Sequence, residues 1–113
     1  MGAAMLAQSL QRREAALSYW RRAVAENPWH PNYRANLARM LSEEKAWQEA
    51  RPHCEAWLRL DPANLEARFL WVRCLIKTGD KSEARVEFAK IERLRPANLP
   101  TLQARFNVEL RGR

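Results

Sequence analysis

Glycine is scarce in this chain, at Gly2, Gly79 and Gly112 only. Tight β-hairpins draw on glycine for positive φ, and strands favour β-branched residues that are few here beside abundant Arg, Glu, Ala and Leu. A sheet is excluded and an all-α chain is expected. Cysteine is also scarce. Cys54 and Cys74 do not form a CxxC pair and are too few for a disulfide scaffold, so the redox compartment stays open. No segment approaches the roughly 20 uninterrupted apolar residues that a membrane span needs. Met1 to Leu10 lacks the basic leader and long apolar stretch of a signal peptide, and Leu6 stands where N-myristoylation requires Ser or Thr. The expectation is a soluble chain without a membrane partner. There is no Gly-rich phosphate loop and no recognisable set of Ser, His and acid, so neither catalysis nor a cofactor is expected.

What is present points to a folded module. Hydrophobic residues make up 47% of the chain and charged residues 29%, and five tryptophans imply real burial, so disorder is excluded. The length suits one domain with one modest core. The net charge of +7 comes mainly from 16 Arg, against 4 Lys, and it is spread along the chain with no basic tail. Many Arg have an acidic residue three or four positions away, as Arg39 with Glu43 and Arg51 with Glu55, which suggests ordinary solvated helix faces. Nucleic acid is therefore not the expected partner.

The most informative feature is a period. Pro28, Pro62 and Pro96 are evenly spaced, and at one constant distance before each stands an alanine, Ala16, Ala50 and Ala84. Other columns of the same period agree in character: Trp20, Cys54 and Phe88, then Ala23, Trp57 and Ile91. Proline fits a turn or the first turn of a helix, because it lacks the N–H that a helix interior uses. Asn64 and Asn98 follow shortly after their prolines and are placed to cap the next helix, with His30 and Pro31 in the equivalent place. Small alanines allow two helices to cross closely.

The pattern predicts seven helices, near 2–10, 13–26, 32–43, 47–60, 65–77, 81–94 and 99–110. Pro52 falls early in the fourth, where a missing N–H costs little. The last has Leu99, Leu102, Phe106 and Leu110 on one stripe and reads as a solenoid cap.

These residues, and the interval that separates the columns, resemble the tetratricopeptide repeat family, whose unit is a helical hairpin of about 34 residues. Leu37-Ala38, Leu41, Ala50, Trp57 and Asp61-Pro62 carry the resemblance in one copy, and Gly79-Asp80, Ala84, Phe88 and Pro96 in the next. Arg34 and Arg68 stand where the family commonly has Trp. The resemblance implies a single domain over 1–113, a right-handed α-solenoid of antiparallel hairpins: an N-terminally incomplete repeat 1–30, repeats 31–64 and 65–98, and a capping helix 99–113. It also implies a non-enzymatic protein-interaction module that holds a partner segment on the concave side. A family that binds RNA with a related hairpin has a slightly longer repeat and lacks this proline and alanine pattern.

Candidate sites follow from the columns. Adjacent helical residues point about 100 degrees apart, so His53 and Cys54 are poorly placed to share a metal, and none is expected. Cys54 and Cys74 fit as packed, neighbouring thiols across a repeat interface. Trp20, Trp57 and Trp71 fall on packing columns, whereas Trp29 and Trp47 are undetermined. Of the basic clamp with which some family members hold carboxylate tails, only Asn36 falls on a matching column, while Glu66 and Leu70 occupy places that need basic residues. The groove instead offers Arg39, Arg73 and Asn107 in one column of the repeat. Phe69, Leu70 and Ile76 form an apolar wall, and Lys77 lies one turn beyond Arg73. The expected partner is a protein or peptide with acidic and apolar residues. Self-association is the alternative, through an unfinished N-terminal face bearing Met1, Met5 and Leu6, and an RNA-binding helical repeat is the less favoured one.

Overall fold

The computed structural model describes the backbone of residues 2–112 and the side chains of residues 10–112. The described residues form six α-helices: α1 (Gly2–Glu26), α2 (Pro31–Glu43), α3 (Trp47–Leu60), α4 (Leu65–Lys77), α5 (Lys81–Leu94) and α6 (Leu99–Arg111). From α2 onward the helices fall where the pattern places them. At the N-terminus they do not: the two expected helices, 2–10 and 13–26, are one continuous helix of 25 residues. The physical reason lies at the hairpin turns. Lys45 and Gly79, one repeat apart, turn the chain with φ of 61° and 95°, a region that glycine enters freely and other residues enter at a cost. The residue of that column in the preceding repeat is Gln11, which stays helical.

Consecutive helices pack against one another from α1 to α5, and α2, α4 and α6 meet along one side. Ala50 and Ala84 are fully buried at their hairpin crossings, where a larger side chain would hold the helices apart. Two apolar clusters fill the interior. One joins Leu37, Leu41, Cys54, Trp57 and Leu70, with Trp20, Trp47 and Trp71 packed against it. The other joins Val72, Leu75, Ile76, Phe88, Ile91 and Phe106. Each large aliphatic or aromatic side chain buried in this way contributes about 1.5–3 kcal/mol. Trp29 stays exposed. Pro52 lies inside α3 on its exposed face, where the helix continues unbroken.

The two turns that follow α3 and α5 share Pro-Ala-Asn and differ one residue earlier. After α3, Asp61 keeps a negative φ of -141°, and its carboxylate accepts a hydrogen bond from the Asn64 amide at 3.0 Å. That contact orients Asn64 so that its Oδ1 caps α4 at the Ala67 N–H, also at 3.0 Å. After α5 the same position is Arg95, which offers no acceptor and sits in the left-handed region at φ 49°. Asn98 correspondingly makes no side-chain cap, contrary to the sequence expectation, and neither does His30.

The buried face of α6 keeps one buried column of α4 and adds one that is half-buried there. Its buried residues, Leu102 and Phe106, fall in the columns of Arg68 and Val72, and Phe106 stacks on Phe88 with ring centroids 4.1 Å apart. Among the described residues, no helix is long and apolar enough to cross a membrane.

Candidate functional site

The side of the molecule shared by α2, α4 and α6 carries an open cavity of about 440 Å³. Its apolar floor is Leu65, Phe69, Leu70 and Leu102, and its rim carries Arg39, Glu66, Arg73 and Arg105. Each apolar residue comes from the first helix of a hairpin or from the capping helix. Phe69, Leu70 and Leu102 are each 7% exposed, so the floor is closely packed.

Ion pairs between helices set the charge of the rim. Arg39 grips Glu66 with two hydrogen bonds, at 2.6 and 2.8 Å, and its guanidinium lies 5.0 Å from the Trp57 ring centroid. The hydrogen bond from Arg39 holds the Glu66 carboxyl below its ordinary range. Arg73 donates to Glu109 at 2.9 Å and stacks over Trp47 at 5.2 Å, while Lys77 reaches the same carboxylate at 3.0 Å. Burial opposes ionisation of Glu109, and the Lys77 and Arg73 contacts overcome it, leaving its carboxyl below the usual range.

The expected short-range pairs are thus replaced: Arg39 goes to Glu66 rather than Glu43, and Arg51 to Asp80 rather than Glu55. A guanidinium over an aromatic face is already positioned for the carboxylate one repeat away, whereas a partner on its own helix turn would pull it outward.

Arg105 differs from the other two guanidiniums. It is exposed, lies 5.1 Å over the Phe69 ring, and has no acidic partner among the described residues. Its column contains Leu37 and Trp71, so an inward column has become a charged, outward one at the last helix. That inversion was the sequence signal for it. Leu65 and Leu102 carried no comparable signal, since their inclusion depends on how α6 meets α4.

The remaining sequence candidates divide. Arg39, Phe69, Leu70 and Arg73 come together at the cavity. Asn36 is half-buried beside it, accepting a hydrogen bond from Arg39 at 3.3 Å. Ile76 is buried in the core, 5% exposed, and forms no wall. Lys77 serves Glu109. Asn107 is out of line with Arg39 and Arg73: it is exposed and borders a different cleft, with Arg85 and Phe88, beside Phe106, which stacks on Phe88 of α5.

His53 and Cys54 go separate ways. His53 Nδ1 meets Arg34 at 2.8 Å, and the Cys54 and Cys74 sulfurs lie 3.1 Å apart, fully buried, hydrogen-bonded and without a disulfide. The shared hydrogen bond with Cys74 and burial push the Cys54 thiol up. Among the described residues, no group of three or more His, Cys, Asp or Glu is placed to hold a metal ion.

With the repeated hairpins in place, the family comparison is decisive. A tetratricopeptide repeat family model matches residues 41–105, more than half of the chain. The chain belongs to the tetratricopeptide repeat family. No curated protein matches it. Tetratricopeptide repeats generally mediate protein–protein interaction and are generally non-enzymatic. Within this tetratricopeptide repeat chain, Arg34 and Arg68 replace the family's common Trp with a polar tie. Arg34 donates to the Pro28 carbonyl at 2.8 Å and Arg68 to the Pro62 carbonyl at 3.1 Å, each six residues back.

Proposed function

We propose that this chain is a non-enzymatic peptide-capturing module, in which residues 31–64 and 65–98 are full repeats and α6 caps them. The captured segment lies across α2, α4 and α6. It inserts an apolar side chain between Leu65, Phe69, Leu70 and Leu102 and sets a carboxylate against Arg105. The observation that carries this reading is the cavity itself, whose apolar floor is bordered by a guanidinium with no acidic partner among the described residues.

Arg39 and Arg73 act as walls rather than as ligands for the partner, since Glu66 and Glu109 already engage them. The preference for acid is thereby narrowed to one position. Arginine suits that role through paired N–H donors.

Panning a random peptide library displayed on phage against the full chain tests the reading. Selected peptides share an apolar residue beside an acidic one. Titrated calorimetrically, they lose about tenfold in affinity on Arg105→Ala, roughly 1.4 kcal/mol, and nothing on Arg93→Ala, which lies on α5. Equal sensitivity to both substitutions, or none to Arg105→Ala, overturns it. The half-covered face of α1 favours a second and compatible reading, self-association.

A further inference from the structure

The second helices of the two full hairpins each bury one face against their own first helix. In α3 that face includes Ala50, His53 and Trp57, and in α5 it includes Ala84, Glu87 and Ile91. Ala50 and Ala84 are 0% exposed, Trp57 2% and Ile91 0%. The same columns in α1 hold Ala16, Tyr19 and Ala23. Ala16 and Ala23 are only partly covered, and Tyr19 is 63% exposed.

The adjoining face of α1, with Leu17 and Val24, is buried in the first apolar cluster. Along the uncovered face runs a groove of about 580 Å³, lined by Ala15, Ser18, Tyr19, Arg22, Ala23 and Glu26 with Tyr33 at its end. Those positions recur at three and four residues, which is the seat of one helix along another.

The register names the element that belongs there. Counting back one repeat from the body of α2 gives residues 2–9, so the first helix of this hairpin is the N-terminal part of α1 itself. With no turn at Gln11, that part continues straight and leaves its own seat uncovered. By sequence, Gly2 to Leu10 is small and apolar and contains no charged residue, in a chain that is 29% charged. Such a stretch suits a covered position. Leu10, where side chains begin to be described, is 48% exposed.

We infer that two copies of the chain pair through α1, the Gly2–Leu10 segment of each covering the Ala16 and Tyr19 part of the seat of the other. This rests on the self-association reading and gives it a surface and a partner. The two α1 helices run antiparallel and cross at Gln11, which reproduces twice, between copies, the hairpin packing that α2 with α3 and α4 with α5 make within one. The exchange is reciprocal and closes on itself, so it yields a dimer rather than a fibre. What favours exchange over folding back is that α1 runs through Gln11 without a turn, whereas the same column turns at Lys45 and Gly79.

Sedimentation equilibrium of the full chain over a wide concentration range, with far-UV circular dichroism on each variant, tests this. The expected result is a two-copy mass. Ala16→Glu, which puts a charge into a half-exposed seat, halves the mass while α2–α6 stay helical. Gln11→Gly, which permits the turn, shifts the population to monomer with little loss of helicity, and it serves even if Ala16→Glu perturbs folding. A two-copy mass that neither substitution changes overturns the α1 exchange while leaving self-association through another surface. A one-copy mass at every concentration overturns both. Neither outcome touches the groove formed by α2, α4 and α6.

Discussion

Arg34 and His53 meet at 2.8 Å across the hairpin of α2 and α3, and the same two columns one repeat later bring Arg68 to Glu87 at 3.4 Å. In each hairpin the guanidinium also ties to a proline carbonyl in the preceding turn, so one side chain fixes both the entry to the hairpin and the pairing of its helices. The two hairpins differ in what answers the guanidinium. A carboxylate does so at any pH above its own titration, but an imidazole does so only while its nitrogen is free to accept.

That difference gives a pH dependence. Burial first, then the neighbouring Arg34, lowers the His53 pKa. The folded chain therefore binds fewer protons at this site than the unfolded chain. The associated stability is full above about pH 6.5, the unperturbed value, and falls as pH drops through the lower folded value. His53→Gln, which keeps an acceptor without a titration, is expected to flatten the dependence of the urea midpoint below that pH. A second decline at lower pH remains, from Glu49, Glu66 and Glu109, whose carboxyls the fold holds below their usual range. An unchanged profile in His53→Gln would place the upper titration elsewhere.

Glu87 is the buried carboxylate of the second hairpin, 8% exposed and held between Arg68 and Lys90. Glu87→Gln leaves the Arg68 guanidinium half-buried without its counter-charge. The expected loss is about 2–3 kcal/mol in denaturant unfolding. Glu55→Gln, in an exposed pair with Arg59 at 3.6 Å, is expected to stay within about 0.5 kcal/mol. Similar losses in both would reject the buried tie.

Lys45 and Gly79 share the turn column, both at positive φ, and invite substitutions of opposite sign. Lys45→Gly relieves strain and is expected to stabilise by a few tenths to about 1 kcal/mol, and Gly79→Ala to destabilise by about 1 kcal/mol. No atom lies within 4 Å of a Cβ built on Gly79, so the penalty there is the backbone's alone. Thermal unfolding reads both, and a stabilising Gly79→Ala would contradict the turn geometry.

Ala50 and Ala84 test the packing directly. Both are fully buried, and replacing either by Leu is expected to cost about 1–3 kcal/mol through overpacking. Neutral results at both would undo the alignment of the hairpins.

The repeating columns made the hairpins from α2 to α5 legible, because proline, alanine and positive-φ turn positions are local requirements that a single sequence records. What was not legible depended on relations between repeats. Arg39 has Glu43 one turn away, yet it binds Glu66, because Trp57 holds the guanidinium over the groove. Asn107 matched the Arg39 and Arg73 column by number, but it borders the cleft beside Phe88, on which its neighbour Phe106 stacks. Arg105 entered the site by lying over Phe69 of α4, a contact between helices that no column records. The continuity of α1 through Gln11 was not legible either, since Lys45 shows that a residue other than glycine can turn in that column.

Capture of a peptide by the face that α2, α4 and α6 share is tested most directly by amide chemical-shift mapping. A library-selected peptide is titrated into the isotopically labelled full chain. The largest perturbations are expected at Arg39, Leu65 to Arg73 and Leu102 to Arg105, with α3 and α5 little changed. Perturbations centred on α3 and α5, or on the exposed Trp29 beside Leu60, would contradict peptide capture at this face.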